Sequence, residues 1–484
     1  MFDVIIIGAG VVGCAIAREL TKYNLKIAVL EKEMDVCEAT SMANSAIVHS
    51  GYDPNPQTLK AKLNVIGNKM FDSICKELDV EFKRHGSITV AFNDEELQTL
   101  KKLQENGLEN GVETRLLSPK EVLELEPRIS LQLKGGLLAP TCGIVNPFEL
   151  TVALMENAMD NGTKLFLDTE VLNIKKEDNK YIIITNKKNY EGKIIINCAG
   201  LFSGKIAEMI GNKQIIIKPR KGQYYVLDHF KEPFVSHTLF PCPTNKGKGV
   251  LITPTTHGNY LIGPSSEFTQ ESYDVSTDAE DLAYVKERAK ILIPDIPYNH
   301  MIRTFAGNRA VSQTNDFIIE EDSKAKNFYH VAGIQSPGLA SALAIAEYVV
   351  EMIDKNEKLI KNKNFNPIRK PFIRLNKLSN KEKEELIKKD SRFGRIVCRC
   401  EIVSEGEIVD AISRNCGART IKGVKKRLRA GFGKCQGGFC EPLVIKILAR
   451  ELNIDPMSIK YGNNESYILL HKTKNDGGDD NENL

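Results

Sequence analysis

Four cysteines near the C-terminus have the residue type and spacing of a site for a metal ion or cluster. Cys398 and Cys400 form a Cys-x-Cys pair, and Cys435 and Cys440 form a Cys-x4-Cys pair. Two loops that each supply two thiolates can hold zinc or an iron–sulfur cluster, although structural zinc usually shows wider CxxC-type pairs. Cys416 lies between the pairs. We expect it not to be a ligand, because four thiolates already complete such a site.

A glycine-rich turn near the N-terminus has the pattern of a dinucleotide-binding unit. Apolar residues 4–7 predict a strand, and residues 8–13 give Gly-x-Gly-x-x-Gly before a helical stretch that extends to about residue 23. Gly8 permits the tight turn, Gly10 lets the backbone approach a pyrophosphate, and Gly13 packs the helix against the strand. The pattern therefore predicts a nucleotide-binding βαβ unit.

An acidic residue at the end of the second strand supports this prediction. Residues 26–30 form the second predicted strand, and Glu31 follows it, 23 residues after Gly8. A carboxylate at this place can accept hydrogen bonds from the ribose of an adenosine, and Lys32 lies beside it. The fingerprint by itself does not distinguish NAD from FAD.

Three later segments favour FAD. Residues 38–45 are rich in small hydroxyl and amide side chains that can lie along a pyrophosphate and a flavin. A predicted strand at 193–196 leads into a turn of small residues, and another at 328–331 leads into a helix whose first N–H groups can face an anion or a flavin edge. The candidate cofactor-binding residues in these segments are Thr40, Ser41, Asn44, Ser45, Ala199, Gly200, Gly333, Gly338 and Leu339.

These motifs together resemble the FAD-dependent D-amino-acid-oxidase-like oxidoreductase superfamily, over residues 1 to about 353. The resemblance is carried by the N-terminal glycine turn with Glu31 and Lys32, by the turn at 197–200 and by the Gly-x-x-Ser-x-Gly element at 333–338. It implies noncovalent FAD in an α/β domain that is Rossmann-like, of the glutathione-reductase type. It also implies an α+β substrate lobe at about 86–144 and 216–319, between FAD-binding pieces at about 1–85, 145–215 and 320–353.

Residues 45–54 resemble one branch of this superfamily, which contains glycerol-3-phosphate dehydrogenases and oxidases and L-2-hydroxyglutarate dehydrogenases. Those enzymes oxidise a secondary alcohol. The reaction needs a base for the hydroxyl proton and a hydride acceptor close to the carbon atom. His49 is the predicted base, because its reference pKa of about 6.5 leaves the imidazole mostly neutral at physiological pH.

An anionic substrate also needs a fixed positive charge, and arginine matches phosphate or carboxylate best. Arg309 matches the position that binds the acid group of the substrate in this family, and Lys221 and Arg303 are weaker candidates. Ser336 precedes the last helix of this region, where it can hydrogen-bond substrate or flavin or simply begin the helix.

The C-terminal cysteines resemble those of the bacterioferritin-associated-ferredoxin-like [2Fe–2S] domain. The sequence Gln-Gly-Gly-Phe between Cys435 and Cys440 matches the form fused to glycerol-3-phosphate-dehydrogenase-like flavoproteins, although the second pair is spaced more tightly in many such domains. The resemblance favours a [2Fe–2S] cluster over zinc, held by the four paired cysteines, in a small helical domain at 396–460.

Several helix starts carry capping signals. Ser118 with Glu121 and Ser404 with Glu407 form capping boxes, and a third is predicted at 277–280. Thr420 can cap a basic helix at 421–430. We expect the Lys and Arg residues of that helix to form a solvated face, although they can also moderate the charge of a neighbouring cluster.

Composition limits the function classes. The 484 residues are 42% hydrophobic and 27% charged with a mean hydropathy of −0.25, which is typical of a soluble protein of several domains. The net charge of +3 excludes nucleic-acid binding as the main role. No apolar stretch approaches the roughly 18 residues of a membrane span. We therefore expect a cytoplasmic protein with reduced cysteines, peripheral to a membrane at most through a partner.

Residues 354–395 contain 14 Lys and Arg against 6 Asp and Glu, which predicts an exposed basic linker. This linker either docks an acidic partner or is simply solvated. Residues 461–484 are predicted to be a tail, disordered from about Lys474 because apolar residues are lacking there.

The resemblance as a whole is to the large subunit of anaerobic glycerol-3-phosphate dehydrogenase. It implies that substrate reduces FAD and that the cluster passes electrons to a second redox subunit, either an NAD-linked flavoprotein or a quinone-linked module. Three alternatives remain open. They are an L-2-hydroxyglutarate or other 2-hydroxy-acid dehydrogenase, an amine or amino-acid dehydrogenase subunit, and a relay subunit without substrate chemistry.

Overall fold

The computed structural model describes residues 1–243 and 249–471. The predicted disorder from about Lys474 lies outside the described residues. The chain divides into two compact units. Of the described residues, the first contains Met1–Lys32 and Val36–Pro371 without 244–248, and the second contains Glu33–Asp35 and 372–471.

The strands and helices are numbered in chain order. The strands are β1 (Phe2–Ile7), β2 (Ile27–Leu30), β3 (Ile47–Val48), β4 (Phe82–Arg84), β5 (Ser87–Ala91), β6 (Arg115–Leu117), β7 (Gly135–Ala139), β8 (Gly143–Val145), β9 (Lys164–Phe166), β10 (Val171–Glu177), β11 (Lys180–Thr185), β12 (Asn189–Asn197), β13 (Ile217–Leu227), β14 (Thr238–Pro241), β15 (Leu251–Pro254), β16 (Tyr260–Gly263), β17 (Glu267–Phe268), β18 (Met301–Ser312), β19 (Ile318–Glu321), β20 (Phe328–Ala332), β21 (Ile396–Cys398) and β22 (Val403–Ser404). The helices are α1 (Val11–Leu20), α2 (Leu59–Glu77), α3 (Asp94–Glu109), α4 (Pro119–Leu125), α5 (Pro147–Asp160), α6 (Ser203–Glu208), α7 (Ala279–Leu292), α8 (Gly338–Glu357), α9 (Asn380–Lys389), α10 (Glu405–Ser413), α11 (Ile421–Leu428) and α12 (Glu441–Leu452).

The first sheet holds the glycine-rich turn. Its strands run in the order β10-β11-β12-β1-β2-β9, and β20 pairs with β12 and with β19. The strands β12, β1, β2 and β9 are mutually parallel, so that β1 lies in the middle with both faces covered. The residues Val4 to Ile7 are all buried, as expected for a parallel strand with helices on its faces. Helix α1 packs against β1 and β2, and α5 and α8 pack against α1.

The second sheet forms the lobe that faces the cofactor segment. Its order is β17-β13-β16-β15-β14-β5-β7-β6, with β18 paired to β13. Strands β13 and β18 are antiparallel along almost their whole length. The two sheets draw on separate parts of the sequence, because the first uses residues 2–30, 164–197 and 318–332 and the second uses 87–139 and 217–312. Ile318 and Ile319 of β19 belong to the first sheet but fall in the predicted substrate lobe. The other segments fall inside the predicted FAD-binding pieces and substrate lobe, whose exact boundaries stay predictions.

A small antiparallel sheet, ordered β3-β8-β4, positions the segment that contains His49. Strand β3 ends at Val48, so that His49 is the first residue after the strand. Helices α2 and α8 pack against each other next to it. Gly67 of α2 permits this close approach, because a Cβ atom at this position would clash with the backbone oxygen of Ala340.

The second unit is a small helical domain with its own core. Helices α10, α11 and α12 pack together beside the hairpin of β21 and β22. The fully buried residues of this core include Ile408, Val424 and Leu448, one from each helix. Each helix therefore buries one apolar face against the other two.

Most of the predicted helix starts are found. Ser118 with Glu121 and Ser404 with Glu407 form complete capping boxes, and Thr420 accepts from the N–H of Gly423. The start of α7 differs from the prediction, because Asp278 rather than Thr277 is its cap and accepts from the N–H of Asp281. An ionised aspartate beside the first N–H groups also interacts favourably with the helix dipole.

The prediction of an exposed linker is wrong for part of 354–395. Arg369 is only 1% exposed, and its guanidinium is bonded to Glu156 of α5. The chain is anchored there because a buried arginine needs a carboxylate partner. Further along, the segment contains α9, which begins with a capping box of Ser379 and Glu382.

None of the helices in 1–243 and 249–471 is long and apolar enough to cross a bilayer.

Candidate active site and cluster site

The glycine-rich turn has the close contacts that its sequence predicts. Gly8 has a φ of 105°, and a Cβ atom added to it would lie 2.5 Å from the carbonyl oxygen of Cys198. A Cβ atom on Gly13 would clash with the carbonyl oxygen of Gly8. Larger residues are therefore excluded at both positions, and the turn keeps the tight backbone that lets a pyrophosphate approach closely.

Glu31 and Lys32 lie where the second strand meets this turn. A carboxylate oxygen of Glu31 accepts from the N–H of Ala9 at 2.7 Å, which holds the acid against the turn. The ammonium group of Lys32 lies 4.2 Å from the ring centre of Phe202 and 4.5 Å from that of Tyr273. Lys32 therefore makes cation–π contacts, and its predicted role in cofactor binding stays a prediction.

The small polar residues after β2 connect the two sheets of the first unit. The hydroxyl of Ser41 accepts from the N–H of Val11 at 2.9 Å, and Thr40 donates to the carbonyl of Asn308 at 2.6 Å. Asn44 donates to the carbonyls of Thr40 and Ser41, which fixes the local turn. This segment therefore lies between the nucleotide turn and β18, and its predicted role in flavin binding stays a prediction.

Ser45 continues this segment toward β13. Its hydroxyl lies 3.3 Å from the phenolic oxygen of Tyr224. Tyr224 stacks on Phe305 of β18, with ring centres 4.7 Å apart. Burial raises the pKa of Tyr224, so that the phenol stays protonated at neutral pH and can donate a hydrogen bond. The sequence analysis gave Tyr224 no role, because only the pairing of β13 with β18 brings it to this segment.

Two further turns complete the cradle. Gly200 has a φ of 55°, and no atom lies within 4 Å of a Cβ added to it, which leaves room beside Ala199. Gly333 has a φ of 65°, and a Cβ on Gly338 would lie 2.7 Å from Ile334. Leu339 is in the first turn of α8, whose N–H groups have no side-chain cap. The residues present therefore fit a bound dinucleotide.

Ser336 does not cap the helix that follows it. The residue before α8 is Pro337, and within the described residues the hydroxyl of Ser336 makes no hydrogen bond. Ser336 therefore does not have the expected role of beginning the helix. Its hydroxyl is available to a ligand.

His49 lies at the edge of a cavity in the first unit. Its carbonyl oxygen accepts from Asn64 at 2.7 Å and from Asn68 at 3.0 Å, which fixes the backbone next to the ring. The ring centre lies 5.8 Å from that of Phe240. The other polar residues that line the cavity include Asp53 and Thr89. The imidazole therefore has a route to solvent for proton exchange.

Arg309 is a half-buried cation on the face of the second sheet. It makes no hydrogen bond or ion pair with any described residue. Its charge acts on Tyr224, whose pKa it lowers against the larger effect of burial. Arg309 does not line the cavity beside His49. The two residues are related through Tyr224 and Ser45, which lie between β18 and the segment that leads to His49.

Lys221 does not lie on the face of the second sheet that carries Arg309. Its ammonium group forms an ion pair with Asp274 at 2.7 Å, and the side chain is buried. Lys221 pairs with Asn308, whereas the preceding residue in the strand, Arg220, pairs with Arg309. Because side chains alternate along a strand, Lys221 and Arg309 lie on opposite faces. Arg303 lies at the exposed end of β18.

The four predicted ligand cysteines of the second unit form two contacts, each between one cysteine of the first sequence pair and one of the second. The sulfur atoms of Cys400 and Cys435 lie 3.8 Å apart. The thiols of Cys398 and Cys440 are hydrogen-bonded, and this contact lowers the pKa of Cys398 to about 6. Two thiolates bound at about 2.3 Å to one tetrahedral metal lie about 3.8 Å apart, so the separation of Cys400 and Cys435 fits one metal atom.

This pairing fits a binuclear cluster better than a single ion. A [2Fe–2S] cluster needs two thiolates on each of two iron atoms, as the two pairs supply. Cys416 is buried elsewhere in the unit, where Arg427 donates to its carbonyl oxygen at 2.7 Å. This position agrees with its exclusion from the ligands.

The basic residues of α11 are not a solvated face, which corrects the expectation. Lys425, Lys426 and Arg427 are each at most 5% exposed. Arg427 binds Asp35 through two hydrogen bonds of 2.7 and 2.9 Å, and Lys426 lies 2.9 Å from the same carboxylate. Burial opposes ionisation of Asp35, but the two cations lower its pKa well below the usual range. Lys426 and Arg427 can be buried because each forms an ion pair with Asp35.

Comparison with known proteins agrees with both sites. Residues 3–352 match the family described as FAD dependent oxidoreductase, and residues 396–450 match the BFD-like [2Fe-2S] binding domain. The chain belongs to the FAD-dependent oxidoreductase family. It is a flavoenzyme that binds FAD, with a [2Fe–2S]-binding domain fused after the oxidoreductase part.

Three relatives show what the chain is similar to. A glycerol 3-phosphate dehydrogenase of Caloramator mitchellensis is 53% identical over 479 residues, which are 98% of this chain and 100% of that protein. A glycerol 3-phosphate oxidase of Mycoplasma pneumoniae is 33% identical over 75% of this chain and 97% of its own length. An L-2-hydroxyglutarate dehydrogenase of Indibacter alkaliphilus is 30% identical over 72% of this chain and 98% of its own length.

Solved structures show the same fold. The dithionite-reduced L-alpha-glycerophosphate oxidase of Mycoplasma pneumoniae with FAD bound has a TM-score of 0.74 and 32% identity, covering 77% of this chain and 99% of that one. A glycine oxidase of Geobacillus kaustophilus has a TM-score of 0.68 and 23% identity over 76% of this chain and 99% of its own, and shows the fold alone.

Proposed function

We propose that the protein is a dehydrogenase that oxidises sn-glycerol 3-phosphate to dihydroxyacetone phosphate. The observation that carries the proposal is Arg309, a half-buried cation without a carboxylate partner among the described residues, on the sheet face beside the cofactor segment. Such a charge is suited to hold an anionic group of a substrate. The Caloramator relative, similar over nearly the whole chain, supports phosphate as that group.

His49 is the proposed general base. It takes the proton from the C2 hydroxyl while the substrate is held by Arg309 through its phosphate, and the hydroxyls of Ser336 and Tyr224 are available to orient the substrate. FAD, when bound, accepts the hydride from C2. The cavity beside His49 gives the imidazole access to solvent, so that it can release the proton before the next turnover.

The second unit is proposed to pass the electrons onward. Cys398, Cys400, Cys435 and Cys440 would hold a [2Fe–2S] cluster, which supplies one-electron transfer. A fused cluster domain implies an acceptor beyond the flavin, and we propose a second redox subunit, either an NAD-linked flavoprotein or a quinone-linked module. Cys400 is the exposed member of the ligand set, which makes its side of the domain the proposed exit.

The second candidate function is oxidation of L-2-hydroxyglutarate. It is favoured by the relatives of that activity, which are about as similar to the oxidoreductase part as the mycoplasmal oxidases are. Arg309 can hold a carboxylate as well as a phosphate. The candidates differ in the charge and geometry of the anionic group.

Anaerobic titration of the FAD-loaded protein tests the proposal. We expect sn-glycerol 3-phosphate to bleach the flavin absorbance, and L-2-hydroxyglutarate and glycine to leave it unchanged. Bleaching by L-2-hydroxyglutarate alone would replace the proposal with the second candidate. If no alcohol bleaches the flavin, while the protein still accepts electrons from a chemical reductant, the chain is not a substrate dehydrogenase.

A further inference from the structure

A segment of the lobe built on the second sheet reaches back to the turns of the first sheet. We call residues 269–277, which lie between β17 and α7, the strap. The ring centre of Tyr273 in the strap lies 5.0 Å from that of Phe202, with an angle of 38° between the ring planes. The ammonium group of Lys32 lies 4.5 Å from the ring centre of Tyr273. Tyr273 therefore contacts two segments that are far apart in the sequence.

Both contacts of Tyr273 lie at turns of the cofactor cradle. Lys32 directly follows Glu31, the carboxylate that the dinucleotide pattern assigns to the adenosine ribose. Phe202 ends the short turn that begins at Gly200 and follows β12. Strands β2 and β12 lie on opposite sides of β1, which leads into the glycine-rich turn. Tyr273 therefore bridges two turns that flank the predicted nucleotide site.

An ion pair ties the strap to β13. The ammonium group of Lys221 lies 2.7 Å from the carboxylate of Asp274 and 3.3 Å from the hydroxyl of Ser276. Ser276 donates to the same carboxylate through its N–H at 2.9 Å and its hydroxyl at 2.6 Å. Hydrogen bonds from Lys221 and then from Ser276 hold the pKa of Asp274 well below its usual range. The ion pair is therefore fully charged at neutral pH.

Asn308 of β18 is a second anchor of the strap. Its buried amide group donates to the carbonyl oxygens of Ser272 at 3.1 Å and of Asp274 at 2.8 Å. Its own carbonyl oxygen accepts from Thr40, a residue of the segment that is predicted to bind the flavin. The strap is thus anchored on both sides of Tyr273, next to the cofactor segment.

The ring of Tyr273 is not part of a hydrophobic core. Tyr273 is 67% exposed, and Val275 in the same strap is 53% exposed. Exposed cation–π and aromatic contacts contribute little to the stability of a fold. The contacts of Tyr273 therefore act chiefly on the two turns that it joins.

We propose that the strap retains FAD. Tyr273 keeps the turns at Lys32 and Phe202 together around the nucleotide half of the cofactor, and the ion pair of Lys221 with Asp274 holds Tyr273 in place. These are positioning residues, because they act through the turns that are predicted to bind the cofactor. The proposal goes beyond the proposed function, since it concerns the retention of FAD whatever the substrate is. It gives Lys221 a role in cofactor retention in place of substrate binding.

Tyr273→Ala tests the ring, with Tyr273→Phe as its matched control. We expect Tyr273→Ala to release FAD about three- to tenfold faster than the wild type, the scale of a lost aromatic pair and a lost cation–π contact. Tyr273→Phe keeps the ring and should stay within about twofold of the wild type. Dilution of the FAD-loaded protein, followed by the fluorescence of released FAD, measures the rate. Equal release from Tyr273→Ala and the wild type would overturn the role of the ring.

Asp274→Asn tests the ion pair, with Glu271→Gln as the control. Glu271 is an exposed carboxylate of the same strap. We expect release from Asp274→Asn to be about tenfold faster, the scale of a lost charged hydrogen bond, and release from Glu271→Gln to be unchanged within about twofold. Because the ion pair acts through Tyr273, adding Tyr273→Ala to Asp274→Asn should speed release little further. Fully additive effects would show that the ion pair does not act through the ring.

A variant destabilised elsewhere in the same unit distinguishes retention from a general loss of stability. Ile252 is fully buried in the core of the second sheet, so Ile252→Val should lower the Tm of the FAD-loaded protein. We expect its release of FAD to stay within about twofold of the wild type, whereas Tyr273→Ala releases FAD faster at a smaller cost in Tm. If release simply follows the Tm in all variants, the strap only stabilises the fold and the proposal is wrong. If Asp274→Asn fails to fold, the exposed Tyr273 still carries the comparison.

Discussion

His49 carries the proposed proton transfer, and its replacement separates chemistry from cofactor binding. The side chain lies beside a cavity rather than among the contacts that hold the nucleotide turn. We expect His49→Ala to keep FAD and to slow reduction of the flavin on the order of 10²-fold or more, as for a lost general base. Rapid mixing under anaerobic conditions measures this, with His229→Ala, an exposed histidine of the same unit, as the control. An unchanged rate of flavin reduction would remove His49 from the mechanism.

Arg309 is expected to act on affinity instead. In Arg309→Ala the phosphate loses a charged partner, which raises KM by about 10- to 100-fold because a charged hydrogen bond contributes about 1.5–3 kcal/mol. The rate of flavin reduction at saturating substrate should change much less. Steady-state and single-turnover kinetics measure the two effects, and Arg309→Lys should recover part of the affinity. A variant with normal KM and a slow chemical step would show that Arg309 acts in the chemical step with His49 and not in substrate binding.

At the residue scale, sequence could predict the groups whose chemistry is local. The glycine turn, the cysteine pairs and the small polar segment after β2 each appear as short motifs. Tyr224 could not be predicted in this way, because its relation to Arg309 depends on the pairing of β13 with a strand about 80 residues later. Lys221 shows the same limit, since a shift of one residue puts it on the other face.

His85, which lies between β4 and β5, makes the stability of the protein depend on pH. His85 bonds through Nε2 to the hydroxyl of Thr238 at 2.8 Å, and its Nδ1 is buried with no hydrogen bond to any described residue. Burial, and then the nearby His237, lower the pKa of His85 to about 4. The folded protein therefore binds fewer protons than the unfolded chain, whose histidine has a pKa of about 6.5.

This shift predicts a loss of stability in mild acid. The contribution of neutral His85 to the free energy of unfolding is present above about pH 6.5 and is lost as the pH falls from there toward about 4. Thermal unfolding across this range should show a shallower decline for His85→Gln than for the wild type. Parallel profiles for the two proteins would show that His85 does not titrate with unfolding.

Helix α11 shows how a basic sequence can be a buried element. Asp35 holds Lys426 and Arg427 in the second unit, so Asp35→Asn leaves two buried cations poorly compensated. We expect it to lower the free energy of unfolding of this unit by about 3–5 kcal/mol. Glu451→Gln is the control, since its pair with Arg450 is exposed and contributes at most about 1 kcal/mol. Chemical denaturation of the apoprotein measures both, and equal effects would contradict the assignment.

Helix starts were predictable because a cap needs only residues three positions apart, as at Ser118 and Ser404. The burial of α11 could not be predicted, because Asp35, the carboxylate that pairs with its cations, lies almost 400 residues earlier in the sequence. Arg369 is a similar case, since its partner Glu156 is 213 residues away. Charge composition alone cannot distinguish an exposed basic segment from a buried one whose carboxylate partners are distant in the sequence.

For the whole molecule, the proposal joins a two-electron flavin site to a one-electron cluster site. Removing the cluster should therefore separate substrate oxidation from electron export. We expect Cys435→Ser with Cys440→Ser to keep reduction of FAD by substrate and to abolish transfer to the natural acceptor. Cys416→Ser is the control, because Cys416 is buried away from the paired cysteines. Equal turnover of the double variant and the wild type with the natural acceptor would exclude the relay.

The cofactor content follows from the same two sites. Protein purified without oxygen should contain one FAD, two iron atoms and acid-labile sulfide, as the two cysteine pairs require. Iron, sulfide and flavin analysis measures this. Stoichiometric zinc without labile sulfide would overturn the cluster assignment, even though the family match favours iron.

The central claim is that electrons from glycerol 3-phosphate enter at the flavin and leave through the cluster. The most direct test is anaerobic rapid mixing of the holoprotein with sn-glycerol 3-phosphate, followed by flavin absorbance and by paramagnetic resonance of frozen samples. We expect the flavin to bleach first and the signal of a reduced [2Fe–2S] cluster to rise after it, with both slowed together in His49→Ala. A flavin that bleaches while the cluster stays oxidised, although a chemical reductant can reduce that cluster, would contradict the account.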